Sequence, residues 1–234
     1  MSVFVIADLH LSYSSNKPMD IFGAKWENHA EKLRENWQNT VKPEDTVIIA
    51  GDISWGMRTA DALSDLAFIQ SLNGKKIIAK GNHDFWWQTM KKLYEFRDSI
   101  GATSIDFLFN NAYLAENFII CGSRGWFPEN NYSPEDEKIV NREAERIRTS
   151  IRAGLELQKQ NPQAELLLFL HYPPAYGGVR CERICEVIKE FDIKRVFYGH
   201  LHGARKDRLF YQVAGANLTL VAADWLNFMP LEIE

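Results

Sequence analysis

The chain has 234 residues, of which 46% are hydrophobic and 25% charged, with Lys+Arg 27 against Asp+Glu 31 and a formal net charge of -4. This suits a globular fold with a full core, read as one domain over residues 1–234, and needs no disulfide framework. The slight acidic excess weighs against nucleic-acid backbone binding, and no apolar run reaches the roughly 20 residues of a membrane-spanning helix.

Val3–Asp8 is apolar and β-branched and is predicted as a first strand. No basic region or cleavage site comes before it, so a cytoplasmic location is expected. Lys25–Asn39 carries Trp26, Ala30, Leu33 and Trp37 at helical spacing, with His29 as a structural residue of that helix. Thr46–Ala50 is a buried strand, Ala60–Leu72 a helix and Lys76–Ala79 a strand. Phe85–Ile100 is a helix, with Asp84 placed to cap it. Short strands follow at Ile105–Phe109, Tyr113–Ala115 and Phe118–Gly122, with a turn at Asn110-Asn111. Ser133-Pro134-Glu135-Asp136 is a capping-box start with proline at the first helical position. The helix after it puts Ile139, Val140, Ile147, Ile151 and Leu155 on one side. Leu166–Leu170 is a strand, Val179–Phe191 a helix and Arg195–Tyr198 a strand. Three C-terminal strands are predicted at Leu209–Val213, Leu218–Ala222 and Asn227–Ile233. The expectation is a mixed α/β layer structure with two sheets and outer helices. Cys121, Cys181 and Cys185 are odd in number and form no CxxC pair, which fits reduced thiols better than a metal site or disulfide.

Polar motifs fall just past the ends of these strands: Asp8-Leu9-His10, Gly51-Asp52, Gly81-Asn82-His83-Asp84, His171 and Gly199-His200-Leu201-His202. That edge is where open α/β sheets bind ligands. Residues i and i+2 of an extended segment share a face, so Asp8 with His10, and His200 with His202, can enter one site. Asp8, His10, Asp52, Asn82, His171, His200 and His202 are too many ligands for one ordinary ion once water is added. They suit two ions that share a carboxylate. Mixed oxygen and imidazole donors without thiolate favour manganese, iron, zinc or cobalt over calcium or magnesium. Two such ions can lower the pKa of a bridging water and neutralise a phosphoryl group during in-line displacement.

The order DxH, GD, GNHD, H, GHxH resembles the calcineurin-like metallophosphoesterase superfamily, over residues 8 to 202. The resemblance implies a two-sheet mixed β sandwich flanked by helices on both outer faces. It implies one metal on Asp8, His10, Asp52 and His202 and a second on Asp52, Asn82, His171 and His200, with Asp52 bridging. His83 matches the family's non-ligand histidine, which contacts the phosphate or protonates the leaving oxygen. Asp84 is expected to orient His83, to support the site from behind, or only to cap a helix. Two subgroups fit less well. The arginines that phosphoprotein phosphatases carry after GD and GNH are missing, and Trp55 stands where purple acid phosphatases carry a ligating tyrosine. The chain looks more like the compact bacterial-type phosphohydrolases.

The predicted function is a dinuclear-metal hydrolase of a small phosphomonoester or phosphodiester. A nuclease of the same chemistry and a non-catalytic scaffold of the same fold are the alternatives. Arg124, in a glycine-flanked loop, is the best candidate to clamp a substrate phosphate, ahead of Arg58 and Arg180. Tyr13, Trp55, Trp86, Trp87, Trp126, Phe127, Tyr132 and Tyr176 are candidates to stack against substrate or simply to pack. The polar segment Ser12–Gly23 is expected to form a rim over the site. Tyr172-Pro173-Pro174 is expected to stiffen the chain after His171.

Overall fold

The computed structural model describes residues 1–15, 17–127 and 133–234. Among these residues the strands form two large sheets and a two-stranded ribbon. The first sheet contains β1 (Val3–Ile6), β2 (Thr46–Ile49), β3 (Lys75–Ala79), β4 (Ile105–Leu108) and, at the chain's end, β13 (Leu231–Ile233). Its order is β13-β1-β2-β3-β4, parallel except for β13. The second contains β5 (Ala112–Ala115), β6 (Phe118–Ser123), β7 (Glu165–Leu170), β10 (Arg195–Tyr198), β11 (Gln212–Val213) and β12 (Ala216–Leu220). Its order is β11-β12-β10-β7-β6-β5, with β6, β7, β10 and β12 parallel. The ribbon pairs β8 (Ala175–Tyr176) with β9 (Val179–Arg180).

Alternation along each strand makes the sandwich. Val3, Val5, Ile48, Ile77, Leu167, Phe169 and Phe197 point between the sheets, where the Phe169 and Phe197 rings stack at 5.1 Å. Phe4, Ile6, Val47, Ile49 and Ile78 point outward, to α1 (His29–Thr40), α2 (Leu63–Ser71) and α3 (Met90–Ser99). Leu168, Leu170, Val196 and Tyr198 point outward on the other side, to α4 (Pro134–Gln160) and α5 (Glu182–Glu190). Strands buried on both faces read as continuous apolar runs, which makes them visible in the sequence. The result is the two-sheet mixed β sandwich with helices on both outer faces.

The α4 start follows its sequence signal: Ser133 Oγ accepts from Asp136 N at 3.1 Å, and Asp136 Oδ2 accepts from Ser133 N at 3.0 Å. Other boundaries differ, among them the following. Residues 24–26 are a 3-10 turn and α1 begins only at His29, because Asn28 takes a left-handed conformation (φ 51). α3 begins at Met90 behind Thr89, so Asp84 caps no helix. Residues 179–180 belong to the ribbon, so α5 starts later than its apolar spacing predicts.

Lys76 is the one lysine or arginine fully enclosed by this core among the described residues. Its ammonium donates to Leu72 O at 2.6 Å, Gly74 O at 2.8 Å and Ser104 Oγ at 2.9 Å, joining the exit of α2 to the entry of β4. Burial pushes this group down to about 8. A base whose folded pKa lies below its unfolded value binds fewer protons when folded, so stability rises with pH between the two. Lys76→Met should therefore lose about 1–3 kcal/mol through the abandoned acceptors. Its deficit against the parent chain should widen as the pH is raised from near the folded pKa towards the unfolded one. Urea midpoints at both ends of that window check this; a constant deficit would refute the linkage.

Candidate metal centre

β1, β2, β3, β7 and β10 are parallel within their sheets, so their C-terminal ends lie along one edge of the sandwich. Asp8, Asp52, Asn82, His171 and His200 each follow one of these ends. The loops are tied together: Asp8 N donates to Gly51 O at 2.9 Å and His10 N to Asp52 O at 3.0 Å. Asp8, His10, Asp52 and His200 all have positive φ (62, 46, 53 and 71). Non-glycine residues held there cost about 1–3 kcal/mol each and cluster at functional sites. Two glycines are required by close approach. A Cβ on Gly81 would collide with the Asp52 carboxylate, and one on Gly199 with that of Asp8.

The seven predicted ligand residues are brought together as two groups. In the first, His10 Nε2 and His202 Nε2 are 2.9 Å apart, with Asp8 Oδ1 at 3.5 Å from His202 Nε2 and 3.9 Å from His10 Nε2. In the second, Asn82 Oδ1 lies 2.6 Å from His171 Nε2 and 2.9 Å from His200 Nδ1. One atom, Asp52 Oδ2, faces both, at 3.7 Å from His10 Nε2 and 3.4 Å from His171 Nε2. Asp8–His10–His202 and Asp8–Asp52–His171 each offer donor atoms close enough to share one metal ion.

The tautomers sharpen this. His171 Nδ1 lies 3.2 Å from Ala50 O and His202 Nδ1 lies 3.3 Å from Asp224 Oδ1. Those oxygens can only accept, so in the neutral rings that a metal would need both protons sit on Nδ1 and the Nε2 lone pairs turn inward. Lone pairs of imidazole, amide and carboxylate then face one another at contact distance. That donor set fits a cation.

The charges compete in the same place. Burial pushes the Asp8 carboxyl up to about 6, against the pull of His202 and His171. Burial acts on Asp52 too, but His171 and His10 outweigh it and hold that carboxyl well below the usual range. Burial opposes charge on His171, yet Asp52 and Asp8 lift the ring to about 9. Burial and His171 push His200 down to about 3.

The other candidates separate. His83 donates its backbone N–H to Asp52 Oδ1 at 2.8 Å, while its ring packs on Trp55 at 4.4 Å and lines a cavity of about 600 Å³. Asp84 is buried and takes five N–H donors on its two oxygens: Asp52 N, Ile53 N, Ser54 N, Gly81 N and Trp86 Nε1, at 2.7–3.2 Å. The cap expectation for Asp84 is thus corrected, and neither oxygen bonds the His83 ring among the described contacts. Arg124 turns away from the cavity beside His83 and lines a different one.

Of the aromatic candidates, Trp55 lines the 600 Å³ cavity and stacks on His10 at 4.9 Å. Trp86 and Trp87 are core, Trp126 packs on Tyr172, Tyr13 packs on Phe68, and Tyr132 lies outside the described residues. Among the described residues the 12–23 segment reaches the cavity with Met19 and Phe22, and with Lys17 over the Trp55 ring. Two participants escape the sequence reading. Trp26, a helix core residue by its spacing, lies in the 3-10 turn and sets its ring 5.3 Å from His202. Asp224 is buried and holds both His202 Nδ1 and Gly203 N (2.8 Å). It follows the predicted strand Leu218–Ala222, so the strand-end rule that found the other carboxylates could have found this one.

No helix among the described residues is long and apolar enough to cross a membrane. No curated protein sequence matches the chain. Among solved structures it is similar to the protein of unknown function AQ665 from Aquifex aeolicus (16% identity, TM-score 0.52, covering 99% of this chain and 95% of that one). It is similar to the phosphopantetheinyl hydrolase of Mycobacterium tuberculosis (16% identity, TM-score 0.53, 99% and 95%). TT1561 of Thermus thermophilus is a further likeness (8% identity, TM-score 0.55, 93% and 87%). At these identities the likeness shows a shared fold. The calcineurin-like phosphoesterase model matches residues 1–204. Its match runs through every motif that supplies the two donor groups, and the chain belongs to the calcineurin-like phosphoesterase family.

Proposed function

We propose that the protein is a metal-dependent hydrolase of a small phosphate ester, with two ions held by the seven converging side chains. The observation that carries this is Asp52 Oδ2, which faces both donor groups at once. One ion is assigned to Asp8, His10, Asp52 and His202, and the other to Asp52, Asn82, His171 and His200. The nitrogen and oxygen donors suit manganese, iron or zinc. Bound there, such ions supply charge neutralisation for the phosphoryl oxygens and an acidified water.

The protein's own groups do the rest. His83 lines the cavity beside the donors and is assigned contact with the phosphate and proton donation to the leaving oxygen. Burial holds its ring below the usual histidine range, and the charge of an incoming phosphate dianion opposes that shift. Asp84 is a positioning residue: it fixes the loop that carries Asp52. The cavity is walled by Met19, Phe22, Trp26 and Trp55, with Lys17 Nζ over the Trp55 ring at 4.5 Å. These walls favour an ester with a flat or apolar leaving group. The net charge of -4 weighs against the nuclease alternative. Metal-loaded protein should hydrolyse a generic aryl phosphate. Absence of both bound metal and Mn²⁺-dependent turnover across a panel of phosphate esters would sink the proposal.

Asp224 is assigned to orient His202. A carboxylate on the far nitrogen fixes the tautomer and raises the basicity of the ligating one, and its loss typically weakens metal binding about 10–100-fold. Asp224→Asn should show that loss in a metal titration while keeping its thermal midpoint close to that of the parent. Unchanged metal affinity would remove the assignment.

A further inference from the structure

The same edge of the sandwich carries a second cavity, of about 190 Å³, where β4 and β6 end. Its lining is cationic: Lys80 follows β3, Arg124 follows β6, and Arg142 and Arg146 project from α4 one turn apart. Glu143 is the one carboxylate among the described lining residues, and it is fully buried. It accepts from Ser123 Oγ at 2.7 Å and Arg146 Nη1 at 2.6 Å, with Arg124 Nη2 at 3.7 Å. Glu143 therefore braces the arginines from below, and four cations against one carboxylate leave a positive excess in the lining.

Two observations point to a ligand. The guanidinium groups are held in place, Arg124 over Trp126 and Arg146 over Phe109, each at 5.0 Å. Arg124 Nε is also buried and has no hydrogen-bond partner among the described residues. A buried, unsatisfied donor among converging cations calls for an anion. Planar guanidinium forks suit phosphate or carboxylate oxygens, and an excess of this size suits a dianion. The cavity is lined by none of the seven metal-donor residues. Arg124 is nevertheless tied to that centre, because its carbonyl accepts from His171 N at 3.0 Å and Tyr172 N at 2.9 Å.

We propose that Lys80, Arg124, Arg142 and Arg146 form a second phosphate-binding site that takes a phosphate dianion apart from the metal centre. The dianion is either a second phosphate carried by the substrate or free inorganic phosphate. The site does not depend on the metal assignment.

Calorimetric titration of the whole metal-loaded chain with inorganic phosphate tests it. The parent chain should bind two equivalents, and the Lys80→Gln/Arg142→Gln double variant one. The single change Arg142→Gln removes one cation from α4 without touching the Glu143 brace, and it should weaken the second equivalent about tenfold. Phosphate binding in which neither variant weakens any equivalent, metal-loaded or chelated, would overturn the proposal. If the metal assignment alone is wrong, the chelated protein will still bind the equivalent that Arg142→Gln weakens. A second arm finds the source. Comparing turnover of an aryl phosphate with and without a further phosphate group, a preference that Arg142→Gln abolishes identifies the substrate. A weakened calorimetric equivalent with no such preference identifies free phosphate.

Discussion

Asp52→Asn is expected to remove metal from both groups and to lower aryl phosphate turnover at least about a thousandfold, or about 4 kcal/mol of transition-state stabilisation. The amide keeps the shape but loses the negative charge, and one end becomes a donor. Asp52 Oδ2 faces both His10 and His171, so an amide nitrogen at that position spoils both donor groups, and the opposite orientation leaves a weaker neutral oxygen between them and sets the nitrogen against the His83 N–H. Oδ1 also holds His83 N, which adds misplacement of the histidine. His83→Ala is the contrasting variant. It should lower turnover about 10²–10⁴-fold and leave the metal content unchanged, because its ring is not among the donors. Elemental analysis beside kinetics separates the two. If Asp52→Asn retains two metals and full turnover, the shared-carboxylate assignment fails; if His83→Ala retains turnover, the acid is another group.

Asp84→Asn is expected to lower stability by about 3 kcal/mol or more, and with it metal retention, although Asp84 touches no ligand side chain. Five N–H groups converge on its carboxylate, three on Oδ1 and two on Oδ2. An amide must set its own N–H₂ against at least two of those donors in a buried place where no water can serve them. Depending on its orientation the amide releases Asp52 N and Gly81 N, or Ile53 N, Ser54 N and Trp86 Nε1, in the loops that bring Asp52 and Asn82 to the edge. Urea midpoint and bound metal should fall together. A variant as stable as the parent would show that the loops keep their shape unaided.

How far the sequence can be read depends on how local each signal is. Strands buried on both faces betray themselves by apolar runs, so β1, β2, β3, β7 and β10 are legible with their polar successors. The Ser133–Asp136 box is legible because its bonds join residues three apart. Asp84 misleads for the same reason in reverse. A carboxylate before a helical pattern looks like a cap, but three of its acceptor bonds serve residues 30 to 32 positions earlier. Trp26 carries a helical period, and only the left-handed Asn28 that delays α1 turns it into a wall of the cavity. Arg124 is rightly singled out by its loop, but its partner Glu143 lies far along the chain on α4. Only packing shows that it faces Glu143 and not the metal-donor groups.

Residue types alone specified the donor set, its order and the strand ends on which it sits, because ligand chemistry and strand burial are both written in side-chain identity. Packing decided which donors face one another, that Asp52 stands between the two groups, and that Asp224 backs His202. It also decided that aromatic rings wall one cavity while cations line the other. These depend on distances between segments far apart in the chain, and such distances follow from how two sheets pack, not from any local pattern.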